Sequence, residues 1–342
     1  MKISVIIPVF NEENNIERNL AEIASYMIGY GDSDGWELIA VNDGSEDNTL
    51  EILSKSAAEK CWLRVIDLGR HYGRGKALRS GIDAASGDMI VTLDADLSYA
   101  PYHIERLIDK LAQENADIVV ASAYRKGGTV KNVPWKRLWI SRIGNKILSY
   151  MFGGTVTVLT CMVRAYKSEF IKNLDLHCND KEIHLEIMSK AKILEAKIAE
   201  VPADLHWRET KLLKSSRARP SRRPTLKVKR TSSTHLFFAL LSKPGIIFWI
   251  PGFILIAVSF LILLTIFTSV FVSYYDQGFS FYQTIRNSMV NAPISWLTMA
   301  FSFLLGIQFF TLGFLTNQSK NNREETYKTL HSIYRQIKKK RD

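Results

Sequence analysis

The chain has 342 residues, enough for two domains of ordinary size, and its 46% hydrophobic and 23% charged residues exclude both a disordered and a uniformly membranous chain. The net charge of +11 is unevenly spread: residues 1–207 hold 25 Lys and Arg against 29 Asp and Glu, residues 208–230 hold 10 against 1, and residues 320–342 hold 8 against 3. A mildly acidic body with basic segments beside apolar runs suits an anionic membrane surface, and no nucleic-acid partner is expected.

Residues 1–207 read as alternating strands and helices. Residues 2–9 are a β-rich run followed by a helical stretch from Glu12. Residues 36–41 form a second strand that ends in Asn42-Asp43-Gly44-Ser45, with a helix from about Glu46. Residues 63–68 form a third, followed by a glycine turn (Gly69, Gly73, Gly75) and a helix to Ala85. Residues 89–93 form a fourth, ending in Asp94-Ala95-Asp96; a helix begins near Pro101, and residues 117–121 form a fifth strand. Alternation of this kind with short loops implies the α/β class, a doubly wound and mostly parallel sheet. Ligands of such sheets bind at the carboxyl ends of the strands, where the polar clusters fall.

Residues 135–152 can form an amphipathic helix, with Trp139, Ile143 and Ile147 on one stripe and Arg137, Ser141 and Asn145 on another. His184 and Glu186 lie on a further helix, where a structural role is expected. Residues 208–243 combine a basic run with Leu236, Phe237, Phe238, Leu240 and Leu241, the composition of a membrane-interface segment. Residues 244–275 and 287–319 carry no charge, and within them about 245–272 and 292–316 are long enough to cross a hydrocarbon core of about 30 Å. A pair of buried core helices is the alternative. The outer flanks are Lys/Arg-rich, so the positive-inside rule places both the body, 1–207, and the basic tail, 320–342, in the cytoplasm. Cys61, Cys161 and Cys178 form no CxxC pair and fit reduced thiols; Met1-Lys2 leads into a strand without a signal-peptide pattern.

Three clusters at strand ends carry the chemistry. Asp94 and Asp96 sit one residue apart on a turn, where one carboxylate can accept from a sugar hydroxyl and the other can hold a hard divalent cation on a diphosphate. In Pro8-Val9-Phe10-Asn11-Glu12-Glu13 a proline ends the strand, an aromatic ring can lie beside a base, and carboxylates follow. Complementing a helix dipole is the other use of Glu12 and Glu13. Asp43, next to Gly44, can accept from a base N–H or a ribose hydroxyl, or simply build a β-turn.

Pro8-Val9-Phe10-Asn11-Glu12, Asp43-Gly44-Ser45, Gly73-x-Gly75-Lys76-Ala77 and Asp94-x-Asp96 occur in order and resemble the nucleotide-sugar-binding set of family 2 glycosyltransferases, which have the GT-A fold. With two C-terminal spans the chain is most similar to the polyprenyl-phosphate glycosyltransferases, the dolichyl-phosphate mannose synthases and their bacterial undecaprenyl-phosphate relatives. The resemblance implies a GT-A domain followed by interface helices and two transmembrane helices. It implies an inverting transfer from a UDP- or GDP-linked sugar to a polyprenyl phosphate at a bacterial inner membrane, with Mg²⁺ or Mn²⁺ as cofactor. In that resemblance Pro8, Phe10, Glu12, Asp43 and Asp94 line the nucleoside pocket, and Asp96 coordinates the metal. Arg125, Arg137, Ser141 and Asn145 face the acceptor phosphate. Arg208 and Lys214 belong to the loop that closes over the diphosphate. A homo-oligomer is compatible with this pattern and not required by it.

The pattern also departs from the family. Asn42 replaces an Asp, and Ser98 stands where Gln is common. The loop that often reads Asp-x-Thr-Ser-Gly-Phe-Arg runs from Val158 to Arg164 here, without the Asp or the Gly. Another lipid or lipid-linked glycan acceptor, and a non-catalytic nucleotide-sugar binder docked on the membrane, are therefore competing expectations. A processive synthase is not favoured, because the chain has no Gln-x-x-Arg-Trp motif and only two spans.

Overall fold

A computed structural model describes residues 1–30, 35–207, 244–277 and 280–339. The chain divides into two compact units, Met1–Ala239 with Arg335–Asp342, and Leu240–Tyr334.

The first unit is built on a seven-stranded sheet of order β3-β2-β1-β4-β7-β5-β8. Its strands are β1 (Ile3–Val9), β2 (Trp36–Asn42), β3 (Leu63–Asp67), β4 (Met89–Thr92), β5 (Ile118–Ser122), β7 (Arg164–Lys167) and β8 (Ile198–Pro202). The helices α1 (Ile16–Tyr30), α2 (Thr49–Glu59), α3 (Arg74–Ala84) and α4 (His103–Gln113) alternate with the first five strands as the apolar runs require. The central strands are apolar on both faces because helices cover both sides of a parallel sheet; Val5, Ile6, Ile7, Leu38, Ile39, Ala40, Ile90 and Val91 are fully buried. On α4 the buried residues Ile104, Leu107, Ile108 and Leu111 follow the i, i+3, i+4, i+7 pattern of one helix face.

Register sets the site. Val9 pairs with Asn42, Asn42 with Asp67, and Ile6 with Thr92, so β1, β2, β3 and β4 end at one edge of the sheet. Two strands of this sheet, β7 and β8, were not expected from the sequence. The antiparallel β7 lies between β4 and β5, with Arg164 opposite both Thr92 and Val120. It has four residues, two of them charged, and so lacks an apolar run. The Arg164 side chain is fully buried, where it donates to the Leu159 and His184 carbonyls. A second, two-stranded sheet pairs β6 (Thr129–Lys131) with β9 (Asp204–His206). The remaining helices of this unit are α5 (Trp135–Met151), α6 (Ser168–Lys172) and α7 (Ile183–Ile193).

In the second unit α8 (Pro244–Gln277) and α10 (Pro293–Lys339) contain Gly245–Tyr275 and Pro293–Tyr334, both long and apolar enough to cross a membrane. Their apolar side chains point outward, with Phe253 68%, Phe260 66%, Ile294 77% and Leu297 70% exposed. Soluble cores bury such residues, so the pair of core helices considered above does not describe this unit. Ser259 Oγ donates to the Met299 carbonyl (2.9 Å) between the two long helices. The connector forms its own helix, α9 (Phe281–Asn291), started by a capping box in which Ser280 and Gln283 serve each other's amides. Helix α10 runs on through the basic tail as one continuous element of 47 residues.

Candidate active site

The β1 and β2 loops are tied together at the sheet edge. The Asn11 amide donates to Ser45 Oγ (3.0 Å), Asn11 Oδ1 accepts from the Glu46 amide (2.8 Å), and the Glu12 amide donates to Thr49 Oγ1 (2.9 Å). Asn42 is suited to its place. Its Nδ2 donates to Asp67 Oδ1 (2.8 Å) while its Oδ1 accepts from the Ser45 hydroxyl, so an Asp here would face Asp67 with like charge. Pro8 is the penultimate residue of β1, and Phe10, just beyond the strand, is exposed.

Asp43 is buried and faces the loop after β3. Its Oδ1 accepts from the Tyr72 amide (2.8 Å), its Oδ2 from the Gly73 amide (3.0 Å), and His71 Nδ1 lies 2.8 Å from Oδ2. Gly44 lets that loop approach. At φ +66° a Cβ here would lie 2.2 Å from the Arg70 carbonyl carbon. Gly73, at φ +107°, caps α3 on the same terms, since a Cβ would meet the Asn179 carbonyl oxygen at 2.5 Å. That carbonyl accepts from the amides of Gly75 (2.7 Å) and Lys76 (3.1 Å), so the first turn of α3 is already capped by protein. The buried Glu186 shapes the capping segment by accepting from the His177 and Cys178 amides and from Lys190. This is the structural role expected of it.

The Asp94-x-Asp96 turn follows β4. Asp94 pairs with Arg74, the first residue of α3 (3.0 Å). Asp96 Oδ1 accepts from the Ser98 amide (2.9 Å), and among the described residues its Oδ2 carries no hydrogen bond. The buried Asn19 of α1 pins the turn by donating to the Ala95 carbonyl (2.7 Å). Burial raises the Asp94 carboxyl above its ordinary range; Arg74 opposes the shift and the Asp96 charge adds to it. Burial also raises Glu12, with Asp96 and Asp47 adding and a hydrogen bond from Asn15 opposing. Glu12 and Asp94 thus each lie in the field of the Asp96 carboxylate, negative charge that a cation would relieve.

The donor set fits Mg²⁺ or Mn²⁺, hard ions that take carboxylate and phosphate oxygens together. Among the described residues no three His, Cys, Asp or Glu side chains hold a metal by themselves. Asp96 would supply the protein ligand, and a bound diphosphate would supply others.

A second cluster gathers around Arg125. Glu200, buried on β8, accepts from the Thr157 (2.7 Å) and Val158 (3.2 Å) amides and from Thr157 Oγ1, and Arg125 Nη1 lies 4.0 Å away. The loop without its Asp at 158 is thus held by a carboxylate from a neighbouring strand. Ser122 Oγ accepts from the Arg125 amide and is 2.6 Å from Thr157 Oγ1. On α5 the expected row is present, but its members differ in use. Asn145 is buried and accepts from the Leu159 amide and the Thr160 hydroxyl (3.3 Å each), so it braces the loop. Ser141 accepts from the Tyr124 hydroxyl (2.8 Å). Arg137 lies over the Trp207 ring, 4.7 Å from its centroid. The opposite stripe of α5 is exposed and apolar, with Trp135, Trp139, Ile143 and Ile147 outward. Arg208 and Lys214 lie outside the described residues.

Tyr99 is buried; burial raises its phenol, with the neighbouring Cys161, Asp94 and Tyr124 adding to the shift. Burial likewise pushes the Cys161 thiol up to about 11.

Residues 4–175, half of the chain, match the family described as Glycosyl transferase family 2. The chain belongs to that family. Its mostly parallel sheet with flanking helices and two apolar C-terminal helices is the GT-A-like architecture expected of this family 2 member. The undecaprenyl-phosphate 4-deoxy-4-formamido-L-arabinose transferase of Edwardsiella ictaluri is 34% identical over 196 residues, 55% of this chain and 56% of that protein. The enzyme of the same name from Serratia proteamaculans is 34% identical over 197 residues, 55% of each chain. The chain thus spans about half the length of the curated relatives it matches. Among solved structures, S. aureus TarS 1-349 in complex with UDP-GlcNAc is 18% identical over 98% of this chain and 92% of that one, with a TM-score of 0.45. A mannosyltransferase from Pyrobaculum calidifontis in complex with GDP-Man and Mn²⁺ is 15% identical over 91% and 87%, with a TM-score of 0.44.

Proposed function

We propose that this family 2 chain transfers a sugar from a UDP- or GDP-linked donor to a polyprenyl phosphate, and that it does so at a membrane with its first unit and both ends in the cytoplasm. What supports the reading is the carboxylate cluster after β1 and β4, where Glu12 and Asp94 each feel Asp96, together with the cations Arg125, beside Glu200, and Arg137, over Trp207. The first suits a diphosphate carried with a metal and the second suits an anionic acceptor. The 34% identity to proteins named as undecaprenyl-phosphate sugar transferases supports the acceptor class.

A phosphate monoester has a second pKa of about 6, so the acceptor is mostly dianionic near neutrality and needs no strong general base. The work left to the protein is to bring two anions together and to orient them. Arg125, held beside Glu200, and Arg137 on the exposed α5 would position the acceptor phosphate. Arg74, fixed by Asp94 at the start of α3, stands at the donor side. Asp96 would hold the metal, which when bound neutralises the departing diphosphate. Attack by the phosphate oxygen on the anomeric carbon, opposite the leaving nucleoside diphosphate, inverts that centre. The outward apolar stripe of α5 would seat this site at headgroup depth, where a lipid acceptor presents its phosphate. Arg208 and Lys214 are proposed to close over the diphosphate.

The test is a transfer assay on detergent-purified chain with undecaprenyl phosphate, Mg²⁺ or Mn²⁺ and a panel of radiolabelled UDP- and GDP-sugars. Label from one donor entering the organic phase, and lost with chelator, supports the reading. No label from any donor counts against it.

A further inference from the structure

We infer that α9 is an interfacial anchor: at the turn between the two long helices it lies along the bilayer surface, with Phe281, Tyr282, Ile285 and Met289 in lipid and Gln283, Asn287 and Asn291 toward water. The inference rests on the membrane reading above; it names a surface within it and the partner that covers that surface.

Connectivity brings α9 to the bilayer. The long helices pair antiparallel: the Phe248 ring of α8 meets Phe309 of α10, 6.3 Å between centroids, and further along α8 Ser259 meets Met299, further back on α10. Two spans paired in this way turn back at one membrane face. Helix α8 ends at Gln277, α9 runs from Phe281 to Asn291, and α10 starts at Pro293. Three residues on one side and Ala292 on the other, at most about 3.6 Å each, keep α9 at that face. Side chains tie it as well. The Tyr274 ring at the end of α8 meets Phe281 edge-on, 6.4 Å between centroids, and Trp296 Nε1 of α10 donates to Ser288 Oγ (3.3 Å).

The sequence of α9 falls into rows at i, i+4. Thr284 and Ser288 form the inner row: Thr284 is buried and donates to the Ser280 carbonyl, and Ser288 takes the Trp296 bond. Gln283, Asn287 and Asn291 form an exposed polar row on one side of it. On the other side stand Phe281, Ile285 and Met289, followed by the row Tyr282, Arg286 and Val290. Although apolar, Phe281 is 59% exposed, Tyr282 75% and Met289 47%. Arg286 is the one charge on this arc, and its long stem can lie along lipid while the guanidinium reaches headgroup phosphates. An apolar arc with aromatic residues, a polar row and a cation at the boundary match a helix lying in the membrane surface.

A second copy of this chain is the other candidate occupant, and the area argues against it. Eleven residues make a helix about 16 Å long and 10 Å wide, so one face offers a few hundred Å² at most, where a stable dimer takes about 800 Å² from each partner. Lipid needs no such minimum.

The experiment uses nitroxide labels on single cysteines in the full-length chain, reconstituted into vesicles of phosphatidylcholine and phosphatidylglycerol. Cys61 and Cys178 are replaced by Ser; the third cysteine, Cys161, is buried. Labels at Tyr282→Cys, Met289→Cys, Gln283→Cys and Asn287→Cys are compared by power saturation with oxygen, which partitions into lipid, and with a nickel chelate, which stays in water. Phe260→Cys, exposed on α8, is the reference for the hydrocarbon core, and thermal melts check folding. The ratio of oxygen to nickel collisions should be at least about threefold higher at 282 and 289 than at 283 and 287, because the apolar face of an interfacial helix sits about 5–10 Å into the headgroup and acyl boundary. Labels at 282 and 289 that are as accessible to nickel as those at 283 and 287, or shielded from both reagents as a protein contact would shield them, overturn the inference while 260 stays in lipid. A label at 260 that nickel reaches freely overturns the membrane-spanning reading and this inference with it.

Discussion

Replacing Glu200 by Ala or by Gln separates two ways in which a buried carboxylate can organise the acceptor side. In Glu200→Ala the amides of Thr157 and Val158 lose their acceptor, and Thr157 Oγ1 loses a partner. Val158 is itself buried, so water does not readily replace the carboxylate. An unsatisfied buried donor costs about 1–3 kcal/mol, so two amides together cost about 4 kcal/mol. Glu200→Gln keeps one carbonyl oxygen for both amides and can donate to Thr157 Oγ1 from its nitrogen. It gives up only the attraction to Arg125, which lies 4.0 Å away and is 45% exposed, a contribution of at most about 1 kcal/mol. In a domain of this size each kcal/mol moves the melting temperature by about 2–4 °C. Thermal melts of the full-length chain in detergent should fall by about 8–16 °C for Glu200→Ala and by less than about 4 °C for Glu200→Gln. Equal losses in the two variants would show that charge, not hydrogen bonding, holds the loop, and would refute the reasoning.

Asp96→Asn retains the acceptor for the Ser98 amide, so it should melt within about 2 °C of the parent, while metal-dependent transfer falls by about 100-fold or more; undiminished transfer would remove Asp96 from the metal site. Gly44→Ala forces a Cβ to within 2.2 Å of the Arg70 backbone at a φ of +66°, so it should displace the loop after β3 and weaken nucleotide binding about tenfold, as read by calorimetry. Burial depresses His103 to about 4, below the unfolded value of about 6.5, so the native state excludes a proton that the unfolded chain accepts. Stability from this group is complete above about pH 6.5 and is lost as the pH falls toward 4, by about 3 kcal/mol in total. Melting curves at pH 7 and 4.5 should show a smaller acid loss in His103→Gln than in the parent, and equal losses would exclude His103 as the cause.

The strands that carry the donor-side residues were legible because each is an apolar run stopped by polar turn residues, and the parallel register then brings Phe10, Asp43 and Asp94 to one edge without further instruction. The residues that hold those groups in place were not legible. Asn19, which fixes the Ala95 carbonyl, is one polar residue on an amphipathic helix and has no local signature. Glu200 did leave a signal, a charged residue inside the apolar strand Ile198–Pro202, since carboxylates are rarely fully buried without partners. The departure at Asn42 also has a local cause, but its partner Asp67 is 25 residues away and becomes visible only when β2 and β3 pair. The Arg137, Ser141 and Asn145 spacing correctly gave one helix face, yet spacing could not separate the buried brace at 145 from the exposed cation at 137. Between the two apolar runs, the short connector around Asp276 to Arg286 was not expected to carry a helix of its own; the Ser280–Gln283 capping box starts one, Phe281–Asn291.

The most direct test of the central proposal is mass spectrometry of the lipid after reaction with undecaprenyl phosphate, metal and the donor that the chain binds. The account predicts a lipid whose mass has risen by one sugar residue on a single phosphate, formed in step with released nucleoside diphosphate. Release of nucleoside diphosphate with free sugar and unchanged undecaprenyl phosphate, or attachment of the sugar to a different lipid, would contradict it.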